Sequence, residues 1–316
     1  MDETRDRTDN HGVMAARPSW RSYWHSWWRA FRFFSLTGAF VPTLLGAVLA
    51  WLDGPVDWFD ATLVIIGGCA IQGAVNLVND FFEFKQGVLP EKNRDLGIFG
   101  PQRTALERFI FITGMLMFLA VVPIGFYLAW KSGWPFLVIG GVGLVGGYFY
   151  TGPPFNYKDK ALGWFFAFVL VGALLSIGAY YALRGRFSAV SWWASLPIDF
   201  LITALIISNE VRDAEDDREK GIRTFTYHAG IDGGRLFYWL LVAAAYVSLI
   251  ALIVARTVTW LTALSLLSLL VLRQVPRHLN APRGQRKRAV LLSASHHLWF
   301  GLLYIAGIVL AQALGI

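Results

Sequence analysis

The sequence predicts an all-α membrane protein: a polytopic bundle of about nine transmembrane helices with a cytoplasmic cap. Hydrophobic residues make up 56% of the 316-residue chain, charged residues only 16%, and apolar runs of bilayer length recur along it. A soluble domain typically carries about 25% charged residues, and a transmembrane helix needs about 20 apolar residues in a row. The composition therefore excludes an ordinary soluble protein, and no nucleic-acid-binding motif is present.

The apolar runs define the predicted spans in order. They cover roughly residues 33–52, 60–80, 107–130, 134–151, 163–184, 190–212, 235–255, 257–273 and 293–314. Only a short turn around Arg256 separates the seventh span from the eighth, so this boundary has the weakest hydropathy signal. Fourteen Trp residues suit a protein with aromatic belts at two membrane interfaces.

A separate segment precedes the first span. The stretch "SWRSYWHSWWRAFRFF" places aromatic residues at helical spacing with arginines between them, as in an amphipathic helix on a membrane surface. The first 17 residues are polar and are expected to be disordered. We therefore divide the chain into residues 1–32, a tail plus an interfacial helix, and residues 33–316, a single transmembrane domain.

The distribution of basic residues orients the bundle. Alternate loops and the N-terminal segment hold nearly all of the 28 Lys and Arg residues. The remaining loops hold only Lys131, Arg184, Arg186 and Arg256. By the positive-inside rule the N-terminus and the basic loops are cytoplasmic and the C-terminus is outside. We expect a multi-pass protein of the cell's inner (plasma) membrane.

A polar cluster ends the second span on the cytoplasmic side, in "NLVNDFFEFKQG". Asn76, Asn79, Asp80 and Glu83 are spaced i, i+3, i+4, i+7 and share one helical face, with Gln72 one turn deeper. Burying such groups costs free energy unless they are paired. Either this is an ordinary polar helix exit, or the cluster holds something positively charged.

A second cluster ends the sixth span, in "SNEVRDAEDDREKG". Asn209, Asp213 and Asp217 again share one face, and the Asn-x-x-x-Asp pattern repeats that of Asn76 and Asp80 after 133 residues. The match favours two similar halves over two unrelated helix exits. Carboxylates and amide oxygens are ligands for Mg²⁺, which also takes substrate phosphates. Both adjoining loops are basic, which suits a diphosphate, although positive-inside bias also accounts for many of these bases.

At these residues the chain resembles the UbiA superfamily of membrane prenyltransferases. "NDFFE" and "DAEDD" resemble its two Asp-rich motifs, and "YTGPPFNYK" resembles its Tyr-x-x-Pro-Pro stretch. "GPQR" and "NEVRDAEDDREKGIRT" resemble motifs of its 1,4-dihydroxy-2-naphthoate prenyltransferase branch. Two departures concern the first motif: Glu83 stands where Asp is usual, and Leu89 replaces a further Asp.

The resemblance implies a nine-helix bundle that transfers a polyprenyl group from polyprenyl diphosphate to an aromatic acceptor, with Mg²⁺-assisted release of diphosphate. The implied acceptor is 1,4-dihydroxy-2-naphthoate, in menaquinone biosynthesis. The implied metal ligands are Asp80, Glu83, Asp213, Asp217, Asn76 and Asn209. Arg103, Lys158 and Arg212 are implied to contact diphosphate, with Asn79, Asn209, Asn76 and Gln72 as further substrate-binding residues. The implied catalytic set is Asp80, Asp213, Asp217, Arg103 and Tyr150. For Tyr150 two roles stay open, orienting the acceptor and packing.

Other interpretations of the sequence stay open. Within the superfamily these are prenylation of 4-hydroxybenzoate, haem or a chlorophyll precursor, and terpene cyclisation. From another class, an ion-coupled transporter could use the same buried acids, but the predicted outer loops offer little from which to build a path to the second face. The prenyl chain length and the oligomeric state are not specified by the sequence.

Overall fold

The computed structural model describes residues 19–82 and 104–316, and all regular secondary structure within these ranges is helical. The helices that precede the 83–103 gap are α1 (Trp20–Phe31), α2 (Thr37–Leu52) and α3 (Trp58–Phe82). Those that follow it are α4 (Ala105–Ser132), α5 (Pro135–Phe149), α6 (Gly163–Phe166), α7 (Leu174–Arg184), α8 (Ala189–Lys220), α9 (Phe225–Val254), α10 (Leu269–Leu272), α11 (Val275–Leu279) and α12 (Lys287–Leu314). The all-α membrane fold predicted from the sequence is confirmed.

The number of full-length spans differs from the prediction. Within the described ranges, seven helical segments are long and apolar enough to cross a membrane, the first of them running from Trp20 to Leu52. Two further apolar segments are shorter, Pro135–Phe149 and Trp260–Leu272. These two coincide with the fourth and eighth predicted spans, so a count of nine full spans is not confirmed. A hydropathy window registers apolar length but not the helix type or the point at which a helix ends.

The second polar cluster lies on an unusually long helix. Helix α8 has 32 residues and ends at Gly221, which adopts the left-handed conformation with φ 67°. At 1.5 Å per residue it is about 48 Å long, whereas the hydrocarbon core of a bilayer is about 30 Å thick. The predicted span ended at Arg212 because the hydropathy falls there, yet the helix continues. Its polar end therefore extends beyond the apolar layer.

Close packing around α2 and α8 holds the bundle together. Helix α8 packs against α9 and α12, α2 packs against α7, and α3 packs against α4. Gly46 of α2 permits the contact with α7, because a Cβ at this position would lie 2.2 Å from the carbonyl oxygen of Ser176. The largest buried cluster joins residues of α2, α8, α9 and α12.

The fifth predicted span is built from three pieces. Helix α6 passes into a π-helical turn, Ala167–Ala173, and then into α7. A Cβ at Gly172 in this turn would lie 2.7 Å from Oδ1 of Asp199, a fully buried residue of α8. Oδ2 of Asp199 accepts a hydrogen bond from Ser195 at 2.8 Å. The intramembrane carboxylate therefore packs between α8 and the π turn.

Helix α1 covers one end of α3. Its side chains Trp20, Trp24 and Trp28 are exposed, whereas Ala30 and Phe31 are buried with Leu77 of α3. The predicted helix is thus present with one apolar outer face. Its placement on a membrane surface stays a prediction, and residues 1–18 lie outside the described part of the chain.

Candidate active site

A cavity of about 410 Å³ lies between α3, α4, α5, α7 and α8. One part of it is apolar, and the other part is lined by the polar ends of α3 and α8. The apolar part includes Leu63, Val64, Leu128, Phe136, Leu137, Gly140 and Gly141. The polar part includes Arg32, Gln72, Asn76, Asn79, Tyr150, Lys158, Asn209, Glu210, Arg212, Asp213 and Asp217. Such a cavity suits an amphiphilic ligand with a charged head and an apolar tail.

The three residues of the second cluster line the cavity together. Asp213 is half-buried and accepts two hydrogen bonds from Arg212, at 2.7 Å to Oδ1 and 2.5 Å to Oδ2. Asp217, one turn onward, is buried. Asn209 donates from Nδ2 to the carbonyl oxygen of Leu205 at 3.2 Å, while its Oδ1 is buried without a hydrogen-bond partner. The helical spacing seen in the sequence therefore places these side chains along one wall.

On α3, the side-chain amide of Asn76 forms hydrogen bonds within the protein. Its Nδ2 donates to the carbonyl oxygen of Phe31 and to Oγ of Ser35, both at 2.8 Å, and its Oδ1 lies 3.4 Å from Nε2 of Gln72. Asn76 thus ties the junction of α1 and α2 to α3. A metal-ligand role for Asn76 stays a prediction, and Oδ1 is the atom available for it. Asn79, one turn onward, is buried and also lines the cavity.

Asp80 lies beside Arg32, an arginine of the predicted interfacial segment. The carboxylate is 5% exposed, its Oδ1 is 4.0 Å from Nη2 of Arg32, and its Oδ2 is buried without a hydrogen-bond partner. Arg212 and Asp213 of α8 also interact electrostatically with Arg32. Arg32 therefore lies between the two acidic helix ends. It follows α1 directly, in the left-handed conformation with φ 52°, which turns the chain toward α2.

The loop after α5 forms the third side of the polar part. Tyr150 and Lys158 line the cavity, and the backbone N–H of Lys158 donates to the carbonyl oxygen of Tyr150 at 3.0 Å. The hydroxyl of Tyr157 donates to the carbonyl oxygen of Gly146 at 2.7 Å, and burial raises the pKa of this phenol. These bonds fold the loop back onto α5.

Glu210 is a second cavity residue that sequence reasoning missed. It is 3% exposed, and its Oε2 accepts the backbone N–H of Thr226 at 3.0 Å. Its Oε1 has no hydrogen-bond partner. The available signal was a carboxylate where the apolar run of α8 ends, next to Asn209. The predicted residues Glu83 and Arg103 lie outside the described residues.

The match to a family model decides the assignment of the chain. Residues 39–301, which include all the cavity residues just described except Arg32, match the model of the UbiA prenyltransferase family. The chain belongs to this family. It is a membrane prenyltransferase of the UbiA type.

Similarity to individual UbiA proteins extends over almost the whole chain. The 1,4-dihydroxy-2-naphthoate octaprenyltransferase of Bacillus subtilis is 26% identical over 96% of this chain and 98% of its own. The human UbiA prenyltransferase domain-containing protein 1 is 29% identical over 93% of this chain and 86% of its own. The structure of a UbiA homolog from Archaeoglobus fulgidus bound to GPP and Mg²⁺ covers 89% of this chain and 99% of its own, with 14% identity and a TM-score of 0.53. The last comparison shows a shared fold.

The donor atoms at the polar end fit Mg²⁺ in combination with a diphosphate. The described residues contain no ready-made group of three His, Cys, Asp or Glu side chains that could hold a metal ion alone. They do offer buried oxygens without partners, Oδ2 of Asp80 and Oδ1 of Asn209, on two different helices. Mg²⁺ prefers oxygen ligands and commonly takes several of them from substrate phosphates. Arg32 and Arg212 lie close by as partners for those phosphates.

Proposed function

We propose that this UbiA-type protein transfers a polyprenyl group from polyprenyl diphosphate to an aromatic acceptor, with 1,4-dihydroxy-2-naphthoate as the acceptor and menaquinone biosynthesis as the pathway. The observation that carries the proposal is one cavity that joins the polar end of α3 and the acidic end of α8 to an apolar pocket. Asp80 of α3 does not line this cavity itself, but it lies 4.0 Å from Arg32, which does. Similarity to the Bacillus subtilis octaprenyltransferase supports the acceptor. The GPP and Mg²⁺ bound to the Archaeoglobus fulgidus homolog support the donor and the metal.

The polar end of the cavity binds the diphosphate in this proposal. Arg32, Arg212 and Lys158 supply positive charge from three separate elements, so the phosphate oxygens are held from several sides. Asp80, Asp213 and Asp217 would hold Mg²⁺, with Glu83, Asn209 and Asn76 as further predicted ligands. When bound, Mg²⁺ supplies positive charge that stabilises the departing diphosphate.

The apolar end holds the prenyl tail. Gly140 lies ten residues before Tyr150, about 15 Å along the helical direction at 1.5 Å per residue. Helices α3, α4 and α7 supply the other walls of this part. An apolar environment also keeps water away from the allylic carbon as its bond to oxygen breaks, which suppresses hydrolysis.

The proposed orientation follows from the charge distribution. In the topology predicted from the sequence, the basic loops and the ends of α3 and α8 that carry the acidic residues are on the same side, so the diphosphate site would face the cytoplasm. We assign the protein to the plasma membrane on the same argument. A water-soluble diphosphate would then leave directly into the cytoplasm.

The direct test incubates the purified protein with a labelled polyprenyl diphosphate and a panel of aromatic acceptors. We expect prenylated 1,4-dihydroxy-2-naphthoate and released diphosphate in equal amounts, no product in EDTA, and recovery with Mg²⁺. Preference for another acceptor would reassign the reaction within the family. Ion transport without any prenyl transfer would favour the transporter interpretation.

A matched pair of variants on α8 tests the site itself. Asp213→Asn removes a cavity carboxylate and should lower kcat by at least about 100-fold. Asp216→Asn makes the same change three residues away, where the exposed Asp216 pairs with Arg283 at 2.5 Å. The control should retain nearly wild-type activity. Equal losses in both variants would contradict the proposed site.

A further inference from the structure

One carboxylate oxygen of Glu210 is hydrogen-bonded within the protein, and the other is not. Oε2 accepts the backbone N–H of Thr226 at 3.0 Å, whereas Oε1 has no hydrogen-bond partner although the residue is only 3% exposed. The side chain lines the cavity. A buried polar atom without a partner costs free energy. The open oxygen therefore marks a position at which a ligand can supply a hydrogen-bond donor.

The bond to Thr226 accounts for a structural role of the other oxygen. Thr226 is the second residue of α9, and negative charge near a helix N-terminus is stabilising. Glu210 thereby fastens the start of α9 to α8. This role does not require Oε1, nor does it explain why that atom borders the cavity.

The space in front of Oε1 is bounded by an aromatic ring and by a residue without a side chain. A Cβ built on Gly163 would lie 3.7 Å from Oε1, 3.5 Å from Cε2 of Tyr150 and 3.7 Å from Cα of Lys158. Oε1 of Glu210, the ring of Tyr150 and the backbone of Lys158 thus surround the same point beside Gly163. Contacts of 3.5 to 3.7 Å leave room there for one carbon-sized group. A hydroxyl group of an aromatic ring that lies in the cavity suits this space, because Tyr150 offers the ring an aromatic surface and Oε1 offers the hydroxyl an acceptor.

A second cation suits the gap less well. Lys158 is among the charged groups that act on Glu210, and like charges repel. The described residues also contain no group of three acids that could complete a metal site there. A neutral hydrogen-bond donor is not repelled by Lys158, and it needs no further acidic ligands.

Glu210 also lies at the right depth to act on the acceptor. It precedes Asp213 by three residues on α8, about 4.5 Å along the helix axis. This places it level with Asn209, at the apolar edge of the proposed diphosphate site, where the allylic carbon of the donor would lie. We propose that Oε1 of Glu210 accepts a hydrogen bond from a hydroxyl group of the aromatic acceptor, and so selects hydroxylated rings and orients them toward the donor. The inference rests on the proposed function.

The decisive variant is Glu210→Gln. Its amide oxygen can still accept the Thr226 N–H, which leaves the amide NH₂ to face the cavity and reverses the hydrogen-bond polarity there. The assay compares kcat/KM for the dihydroxy acceptor with that for each of its monomethyl ethers. We expect the wild-type protein to prefer the free hydroxyl at one position by about 10-fold or more, and the variant to lose this preference. The KM for polyprenyl diphosphate should stay within about 2-fold of the wild-type value, because the donor does not contact Oε1.

Two further variants separate the roles of Glu210. Glu219→Gln makes the same change at an exposed position of α8 and should keep the wild-type preference. Gly163→Ala leaves the Thr226 bond intact and adds a methyl group in front of Oε1. It should therefore lower kcat/KM for the acceptor without changing the KM for the donor, even if Glu210→Gln were to fold poorly.

The outcomes distinguish this inference from the proposed function. A wild-type protein that prenylates no aromatic acceptor would remove both. A wild-type protein that does so, with the same hydroxyl preference in Glu210→Gln, would remove only the role of Glu210. A rise in the KM for the donor equal to the loss for the acceptor would also overturn it, because Oε1 would then act on the donor.

Discussion

Replacing Arg32 should have opposite effects on two affinities, that for a divalent metal and that for the diphosphate. Its guanidinium lies 4.0 Å from Asp80, and the side chains are only 16% and 5% exposed. At that distance two unit charges interact by about 1 kcal/mol in water and about 4 kcal/mol at an effective dielectric constant of 20. In Arg32→Gln the acidic site loses a competing cation, so it should bind a divalent metal more tightly. A gain of about 1.4 kcal/mol in the free energy of metal binding corresponds to about 10-fold higher affinity.

The same substitution should weaken binding of the diphosphate. A hydrogen bond to a charged group contributes about 1.5–3 kcal/mol, so the KM for polyprenyl diphosphate should rise at least about 10-fold. Mn²⁺ binding without diphosphate, followed by electron paramagnetic resonance, measures the first effect, and steady-state kinetics measure the second. Arg29→Gln, at an exposed position of the last turn of α1, is the matched control. A loss of both affinities, or an unchanged KM, would refute the placement of Arg32 between the two acidic ends.

Three further predictions concern other parts of the chain. Glu83→Gln should lower activity strongly, whereas Glu83→Asp should stay active. If Glu83→Gln has wild-type kinetics, the first metal-binding cluster consists of Asp80 and the asparagines without Glu83. A C-terminal reporter should be active only outside the cytoplasm, and cytoplasmic activity would overturn the proposed topology. Gly141→Leu should raise the KM for long donors about 10-fold but spare a short one, because a Cβ at Gly141 meets nothing within 4 Å and so projects into the open cavity. Equal kinetics with both donors would mean that the tail lies elsewhere.

The sequence predicted the parts of the site that depend on spacing along one helix. Asn209, Asp213 and Asp217 face the cavity because residues four apart share a helical face, whatever the rest of the fold does. The all-α membrane fold followed from hydropathy for a similar reason. Each of these predictions needs only local geometry.

The residues that the sequence did not reveal depend on contacts between distant segments. Arg32 reaches Asp80 because the chain turns sharply after α1 and because Asn76 holds that turn from α3. Glu210 is held by the backbone N–H of Thr226, at the start of the next helix, α9. Hydropathy likewise could not show that the eighth apolar run begins as a 3-10 helix, Trp260–Ser268.

The measurement that most directly tests the central claim is metal binding in the presence of a non-reactive prenyl diphosphate analogue. The claim is that α3 and α8 together hold one metal–diphosphate group at the polar end of the cavity. Mn²⁺ binding should therefore be strong in the wild-type protein with the analogue, and it should fall by at least about 10-fold in both Asp80→Asn and Asp213→Asn. Wild-type binding in either variant would contradict the claim, because one of the two helices would then play no part in the site.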